Sequence, residues 1–333
     1  MVNYLVSTAY FYGDALYEVE RGLIESLNRN NIKFRLIKAT KNQYFNKLGG
    51  SFLENPVDLV KSSTTNILRL CELLKSGDKI LFVDFFAPAI PLLKYYITVN
   101  NLNVKLGALF HGGSLIPNDI YNWPWLKNSE KSWIDIFDII YVPSKYFRNF
   151  LKSSKVKVLP WGLSHIKFKK SDKKYYDVIF PHRWGLDKGI GDFYKICKKL
   201  PKLKILVTST GLGINSSRKE IDIYQKVKYL GNVTFKTAQT ATQHLYALSR
   251  SKIVLSCAVQ EGFGYSIAKG VKSGAIPVAP NRCCYPEYYP KKFLYLSTDQ
   301  ATKLIVKYIN KPVKISLDNY SFNPIVKSFF NIA

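Results

Sequence analysis

The stretch Lys252-Ile-Val-Leu-Ser-Cys-Ala-Val-Gln-Glu-Gly-Phe-Gly-Tyr-Ser-Ile-Ala-Lys-Gly-Val-Lys-Ser-Gly-Ala-Ile-Pro-Val-Ala-Pro280 holds the fold in miniature. Lys252–Leu255 is short, apolar and β-branched, as befits a strand buried on both faces. A loop leads to Gly262-Phe-Gly264, a helix is expected over Phe263–Ser273, Gly274 ends it, and Ala275–Ala279 is apolar again. Strand, helix and strand at this spacing form a βαβ unit, which implies a parallel sheet. A glycine turn at a helix N-terminus also offers backbone N–H groups and the positive dipole end to a diphosphate. Glu261, just ahead of the turn, is placed to accept hydrogen bonds from sugar hydroxyls. The same glycines would equally suit an ordinary junction that only needs close packing.

The pattern repeats on both sides. Strands are predicted at Tyr176–Phe180, Lys204–Thr208 and Val233–Lys236, with helices over Gly189–Leu200, Ser217–Leu230 and Thr240–Ser249. Earlier in the chain, strands at Asn3–Thr8, Ile32–Ala39, Lys79–Asp84, Val104–Phe110 and Asp138–Val142 alternate with helices near Asp14–Asn28, Pro56–Lys75, Pro88–Val99 and Lys127–Ile136. The fold class is therefore α/β, with two doubly wound Rossmann-like domains facing across a cleft. The first is expected over residues 1–165 and the second over 166–315, with 316–333 returning to the first as a closing helix. Ligands belong at the carboxyl ends of the strands.

A second phosphate-like turn reads Phe180-Pro-His-Arg183-Trp-Gly-Leu-Asp-Lys188-Gly-Ile-Gly-Asp-Phe-Tyr194, again from strand end to helix start. Arg183 and Lys188 are expected to hold a departing diphosphate in place of a metal ion. No D-x-D pair stands in a loop, and Asp135-Ile-Phe-Asp138 has the wrong spacing, so no metal is expected. In the first domain, Phe110-His111-Gly-Gly-Ser114-Leu-Ile-Pro-Asn118-Asp119 follows a strand directly. His111 is the candidate for contact with the donor sugar or its developing charge, Asp119 is its expected acidic partner, and Gly112-Gly113 would let a ligand approach the backbone. Gly13, before the first helix, is a further donor-binding candidate beside a plain capping role. Glu287, after the strand at Ala275–Ala279, could orient a donor hydroxyl.

With 333 residues and 47% hydrophobic content, the chain can build two cores. Five Cys without C-x-x-C spacing and four His argue against a disulfide framework or a zinc site, and for a reduced, cytoplasmic setting, that of a host cell if the protein is viral. Neither a signal peptide nor an apolar run long enough to span a bilayer is expected. The net charge is +26, and between Lys145 and Lys204 17 Lys or Arg stand against 4 Asp, half of that excess. Such a segment suits the phosphates of nucleic acid or of anionic lipid, and is also what a plain solvated basic face looks like.

The segments around Arg183–Lys188 and Glu261–Tyr265, in this order and separation, resemble the C-terminal domain of retaining GT-B glycosyltransferases. His182-Arg-Trp, Asp187-Lys188, Gly274-Ala-Ile-Pro-Val and Asn281-Arg-Cys-Cys-Tyr-Pro-Glu287 are similar to the tRNA-queuosine mannosyltransferases. Arg183-Trp-Gly, Lys188-Gly, Phe193-Tyr194 and Gly262-Phe-Gly-Tyr265 resemble bacteriophage DNA α-glucosyltransferases. The resemblance implies a sugar nucleotide, UDP-linked by preference, as co-substrate and no other cofactor. It places the donor on Arg183, Lys188, Glu261, Gly262, Phe263, Gly264, Tyr265 and Ser266, with the anomeric configuration retained. The chain departs from the family at Lys269, where a second acidic residue is expected, and this leaves the nucleotide undecided.

Together, charge and resemblance favour a nucleic-acid acceptor: a hydroxymethylated DNA base first, a tRNA base next. A peripheral membrane glycosyltransferase is the alternative that uses the same cations on lipid. A non-catalytic binding protein of this fold is the third, and Lys269 is its best support.

Overall fold

The computed structural model describes residues 1–7, 15–38, 56–119, 121–168, 170–209, 211–212, 216–237, 239–311, 313, 315–317 and 319–331. Two compact units emerge, one of Met1–His165 with Tyr320–Ala333, the other of Ile166–Asn319.

The first unit is built on six parallel strands, β1 (Asn3–Ser7), β2 (Arg35–Lys38), β3 (Lys79–Phe82), β4 (Lys105–Leu109), β5 (Ile139–Val142) and β6 (Val156–Val158), in the order β2-β1-β3-β4-β5-β6. Its helices are α1 (Ala15–Arg29), α2 (Pro56–Leu73), α3 (Ile90–Val99), α4 (Pro124–Ile136), α5 (Lys145–Leu151) and a last helix over Asn323–Phe330. That last helix lies against α1, and Lys105 Nζ donates to the Phe329 carbonyl at 2.8 Å. Val6, Ile80, Phe82, Ala108 and Ile140 from the strands meet Ile67, Leu93, Leu126 and Phe147 from the helices in one core.

In the second unit the parallel order is β12-β11-β10-β7-β8-β9, from β7 (Tyr176–Phe180), β8 (Ile205–Val207), β9 (Val233–Phe235), β10 (Ser251–Leu255), β11 (Ile276–Pro280) and β12 (Leu294–Tyr295). Between them run α6 (Ile190–Lys199), α7 (Arg218–Lys228), α8 (Ala241–Ser249), α9 (Tyr265–Lys272), α10 (Tyr285–Tyr288) and α11 (Thr298–Tyr308). Counted from β7, this is the strand order 3-2-1-4-5-6 of the Rossmann fold. Both units are doubly wound α/β.

Some elements differ from the sequence reading. Helix α4 begins at Pro124 rather than Lys127, because Pro is pre-set for the first helical position and Trp123 before it is extended. Two elements follow Val142 where the sequence predicts none: the Ser144 hydroxyl accepts from the Phe147 N–H to cap α5, and β6 extends the sheet at its edge. No helix among the described residues is long and apolar enough to cross a membrane.

Candidate functional site

Winding in the second unit reverses between β7 and β10, which pair directly, Val178 with Ile253 and Ile179 with Val254. The crevice beyond the carboxyl ends of two such strands is where open α/β sheets bind ligands. The loops leaving these strands are the two glycine turns.

The loop after β7 is pinned from outside. Glu220, the capping-box residue of α7, accepts from the Leu186 N–H at 3.1 Å, and its carbonyl accepts from the Trp184 indole N–H at 3.0 Å. The loop ends in Gly189, left-handed at φ 69°, where a Cβ would collide with the Cys257 carbonyl of the other loop. Only glycine fits there, because the two loops touch at backbone level. The Asp187 carbonyl then accepts from the Val259 N–H at 2.7 Å and from the Gln260 N–H at 3.3 Å.

The charged groups run in a chain across this junction. Arg183, with 40% of its side chain exposed, lies 2.6 Å from Asp187 Oδ2. Lys188 is 3.5 Å from Asp187 Oδ2, donates to Glu261 Oε2 at 3.1 Å and donates to the Gln260 carbonyl at 3.3 Å. Burial works to strip the Lys188 proton, but the Glu261 and Asp187 carboxylates outweigh it and hold its pKa above the ordinary lysine value.

Beneath lies a neutral polar network. Ser256 Oγ is 3.0 Å from His182 Nε2 and 2.6 Å from the Tyr285 hydroxyl, while the Ser256 carbonyl accepts from the Tyr295 hydroxyl at 2.7 Å. Burial first, then the Lys188 charge, push His182 down to about 3, so it is uncharged at neutral pH. Arg282, beyond β11, donates to the Ala258 and Cys257 carbonyls at 2.8 and 2.9 Å and braces the second loop from below.

Two helix N-termini open on this point. Gly189 begins α6 and Gly264 (φ 76°) begins α9, and no side chain caps either helix. Each leaves first-turn N–H groups and a positive dipole end at the switch point. Gly262 is buried, and Tyr265 and Ser266 are half-buried in the first turn of α9 or its approach. The Phe263 ring is buried against Tyr265 and Tyr288. Glu287 is exposed on α10. Lys269 is buried, with its ammonium 5.7 Å from the Tyr265 ring centroid.

In the first unit, His111 is half-buried beside Trp161, ring centroids 5.1 Å apart. Its Nε2 lies 2.8 Å from the Val83 carbonyl. A carbonyl only accepts, so Nε2 carries the hydrogen and Nδ1 the lone pair. Burial lowers its pKa to about 4, which keeps the ring neutral. The expected His111–Asp119 pairing is not formed: Asp119 Oδ1 accepts from the Tyr121 N–H at 3.0 Å in a local turn. The carboxylate serving this loop is Glu130 of α4, fully buried, accepting from Ser114 Oγ at 2.7 Å and the Leu115 N–H at 3.2 Å. A Cβ on Gly113 would stand 2.5 Å from Glu130 Oε1. The glycine there makes room for that carboxylate. Gly13 lies outside the described residues.

Sequence reading missed Ser256, Tyr285, Tyr295, Arg282 and Glu130. Of these Arg282 and Tyr285 carried a signal, their place in the Asn281–Glu287 motif directly beyond a strand end. Among the described residues no group of three His, Cys, Asp or Glu could hold a metal ion.

No family model matches the sequence. A tRNA-queuosine alpha-mannosyltransferase of Drosophila melanogaster is 29% identical over 143 residues, 42% of this chain and 38% of that protein. The chain thus matches well under half the length of that relative. Among solved structures, sucrose-phosphate synthase from Thermosynechococcus elongatus is similar with TM-score 0.68 and 12% identity, over 99% of this chain and 95% of that one. HepE of Anabaena, solved with UDP and glucose, gives TM-score 0.67 and 12% identity over the same shares. A lipopolysaccharide outer core galactosyltransferase gives 0.63 and 13%, over 100% and 96%. These likenesses show the GT-B fold, with its two Rossmann-like domains.

Proposed function

We propose that the chain is a metal-independent, retaining hexosyltransferase that takes its sugar from a nucleotide diphosphate donor, UDP-linked by preference, and passes it to a hydroxyl on a modified nucleic-acid base. The observation that carries this reading is the meeting of Lys188, two uncapped helix N-termini and Glu261 at the switch point of the second unit. Glycosyl transfer builds negative charge on the departing diphosphate, and fixed cations and N–H dipoles stabilise that charge without a metal. Lys188 and Arg183 now face carboxylates. A diphosphate arriving at Lys188 competes with Glu261 for it and releases that carboxylate to accept from sugar hydroxyls. In the first unit, the Nδ1 lone pair of neutral His111 can accept from a hydroxyl of donor or acceptor. Retention rests on the family resemblance, and no protein nucleophile is assigned.

The UDP found with HepE supports the donor class. The tRNA-directed relative supports an RNA acceptor ahead of DNA, reversing the order that charge and motif suggest. The test is transfer of labelled hexose from a panel of sugar nucleotides to bulk tRNA and to hydroxymethylated DNA, read beside thermal shift. Labelled tRNA with one stabilising donor is expected. Absence of both transfer and stabilisation across the panel sinks the reading.

A further inference from the structure

Helix α4 and its N-cap residue carry three tryptophans with different fates. Trp133 is 6% exposed and packs against Phe85 and Phe86. Trp123 and Trp125, flanking Pro124, are 39% and 65% exposed. Their rings lie within 17° of parallel, centroids 6.2 Å apart. The row continues inward: Trp123 meets Tyr121 edge-on at 6.0 Å, and Tyr121 stacks on Phe86 at 5.5 Å. The outer rings are thus tied to the core through Tyr121 and Phe86 while both remain exposed. The turn that aims them is held by the Asp119 carboxylate on the Tyr121 N–H and by the Trp123 N–H donating to the Tyr121 carbonyl.

Chemistry beside the rings is cationic. Lys127 and Lys131 fall on one stripe of the helix, four residues apart, in the turns that follow the two outer rings. Both lysines are exposed and neither is ion-paired among the described residues. Of the two acids of α4, Glu130 is buried and faces the Gly113–Leu115 loop, and Asp135, exposed one turn beyond Lys131, is ion-paired with neither lysine among the described residues. Flat π-faces next to unneutralised cations match a base followed by its phosphates.

We infer that Trp123 and Trp125 form a stacking platform for unpaired bases of an RNA loop, with Lys127 and Lys131 on its phosphates. This deepens the acceptor reading above and rests on it. Unpaired loops are the part of an RNA whose bases can be splayed onto aromatic side chains, so the platform selects loops over duplex.

The test uses the full chain at fixed salt, with a dye-labelled RNA hairpin bearing an unpaired loop, a fully paired RNA duplex, single-stranded DNA and anionic phospholipid vesicles as probes. The UDP-induced shift in Tm is measured in parallel. Trp123→Ala and Trp125→Ala should each weaken hairpin binding about ten-fold, or about 1.4 kcal/mol. Both should bind duplex as wild type does and keep the full UDP shift. Lys127→Gln with Lys131→Gln should flatten the salt dependence. Unchanged hairpin affinity in both tryptophan variants overturns the platform, as does DNA bound more tightly than the hairpin. Wild-type binding to vesicles but not to RNA overturns the platform and the acceptor reading together. Lost hairpin affinity in the variants with no UDP shift in wild type supports the platform and overturns the transferase reading alone.

Discussion

Lys188 and Glu261, 73 positions apart in the sequence, are joined by a 3.1 Å charge-assisted hydrogen bond where β7 and β10 end. Each closes the loop that the other belongs to. The pair is preorganised by backbone contact at Gly189, by the Asp187 carbonyl on Val259 and Gln260, and by Arg282 underneath. The two cations differ in burial, and this separates binding from stability.

Lys188→Ala removes a cation whose side chain is 13% exposed and leaves Glu261 without its ion-pair partner, while Asp187 keeps Arg183. A stability loss of about 1–3 kcal/mol in urea unfolding is expected. Arg183→Ala, at an exposed site, should cost under about 1 kcal/mol. Transfer should fall roughly 10²-fold or more in both variants. Equal stability losses would show that exposure does not govern this pair.

Gly189→Ala and Gly191→Ala make a contrast within three residues. Gly189 combines φ 69° with the Cys257 carbonyl, whereas a Cβ on Gly191 meets nothing within 4 Å. The first should destabilise by more than ~2 kcal/mol and lower donor affinity, because the loops must part. The second should be neutral or stabilise by up to ~1 kcal/mol. Thermal unfolding of both variants checks this.

Ser256→Ala deprives His182, Tyr285 and the Ala258 N–H of one shared partner. A loss of about 2 kcal/mol is expected by denaturant titration, greater than that of Tyr285→Phe, which breaks only the Ser256–Tyr285 contact.

Glu130 predicts a pH dependence. Burial raises its pKa from the ordinary 4.5 to about 7, against the lowering effect of the Ser114 and Leu115 hydrogen bonds. Between these values the folded state keeps a proton that the unfolded chain has released. Its contribution is therefore full below pH 4.5 and is lost as pH rises through 7, by up to ~3 kcal/mol. Glu130→Gln keeps an acceptor and drops the titration, so its Tm should exceed that of wild type above pH 8 and match it near pH 5. His111 has the opposite sign: with its pKa lowered to about 4, its contribution is full above pH 6.5 and is lost as pH falls toward 4. An unchanged alkaline slope in the variant contradicts the assignment.

Strands such as Tyr176–Phe180 were legible because a strand buried on both faces needs a continuous apolar run, and helix starts because Gly, Ser and Thr stand where backbone groups need them. The two glycine turns at Gly189 and Gly264 were legible for the same reason: local backbone chemistry marks them. Glu130 was not, because its partners come from a loop 15 and 16 residues earlier and only packing brings them together. Asp119, close to His111 in sequence, instead accepts from the Tyr121 N–H two residues on. Val156-Lys-Val158 was hidden among lysines as a three-residue edge strand. Trp125 and Trp133 share one helix, yet spacing alone did not say which faces water.

The central claim is that Lys188 and the helix N-termini beside it bind a nucleotide diphosphate. Calorimetric titration of UDP and of uridine into wild type and Lys188→Met tests it most directly. The account predicts that wild type binds UDP at least ten-fold more tightly than uridine, and that the variant loses that difference while binding uridine as before. Equal affinities for UDP and uridine in wild type, or a UDP affinity untouched by the substitution, would contradict it.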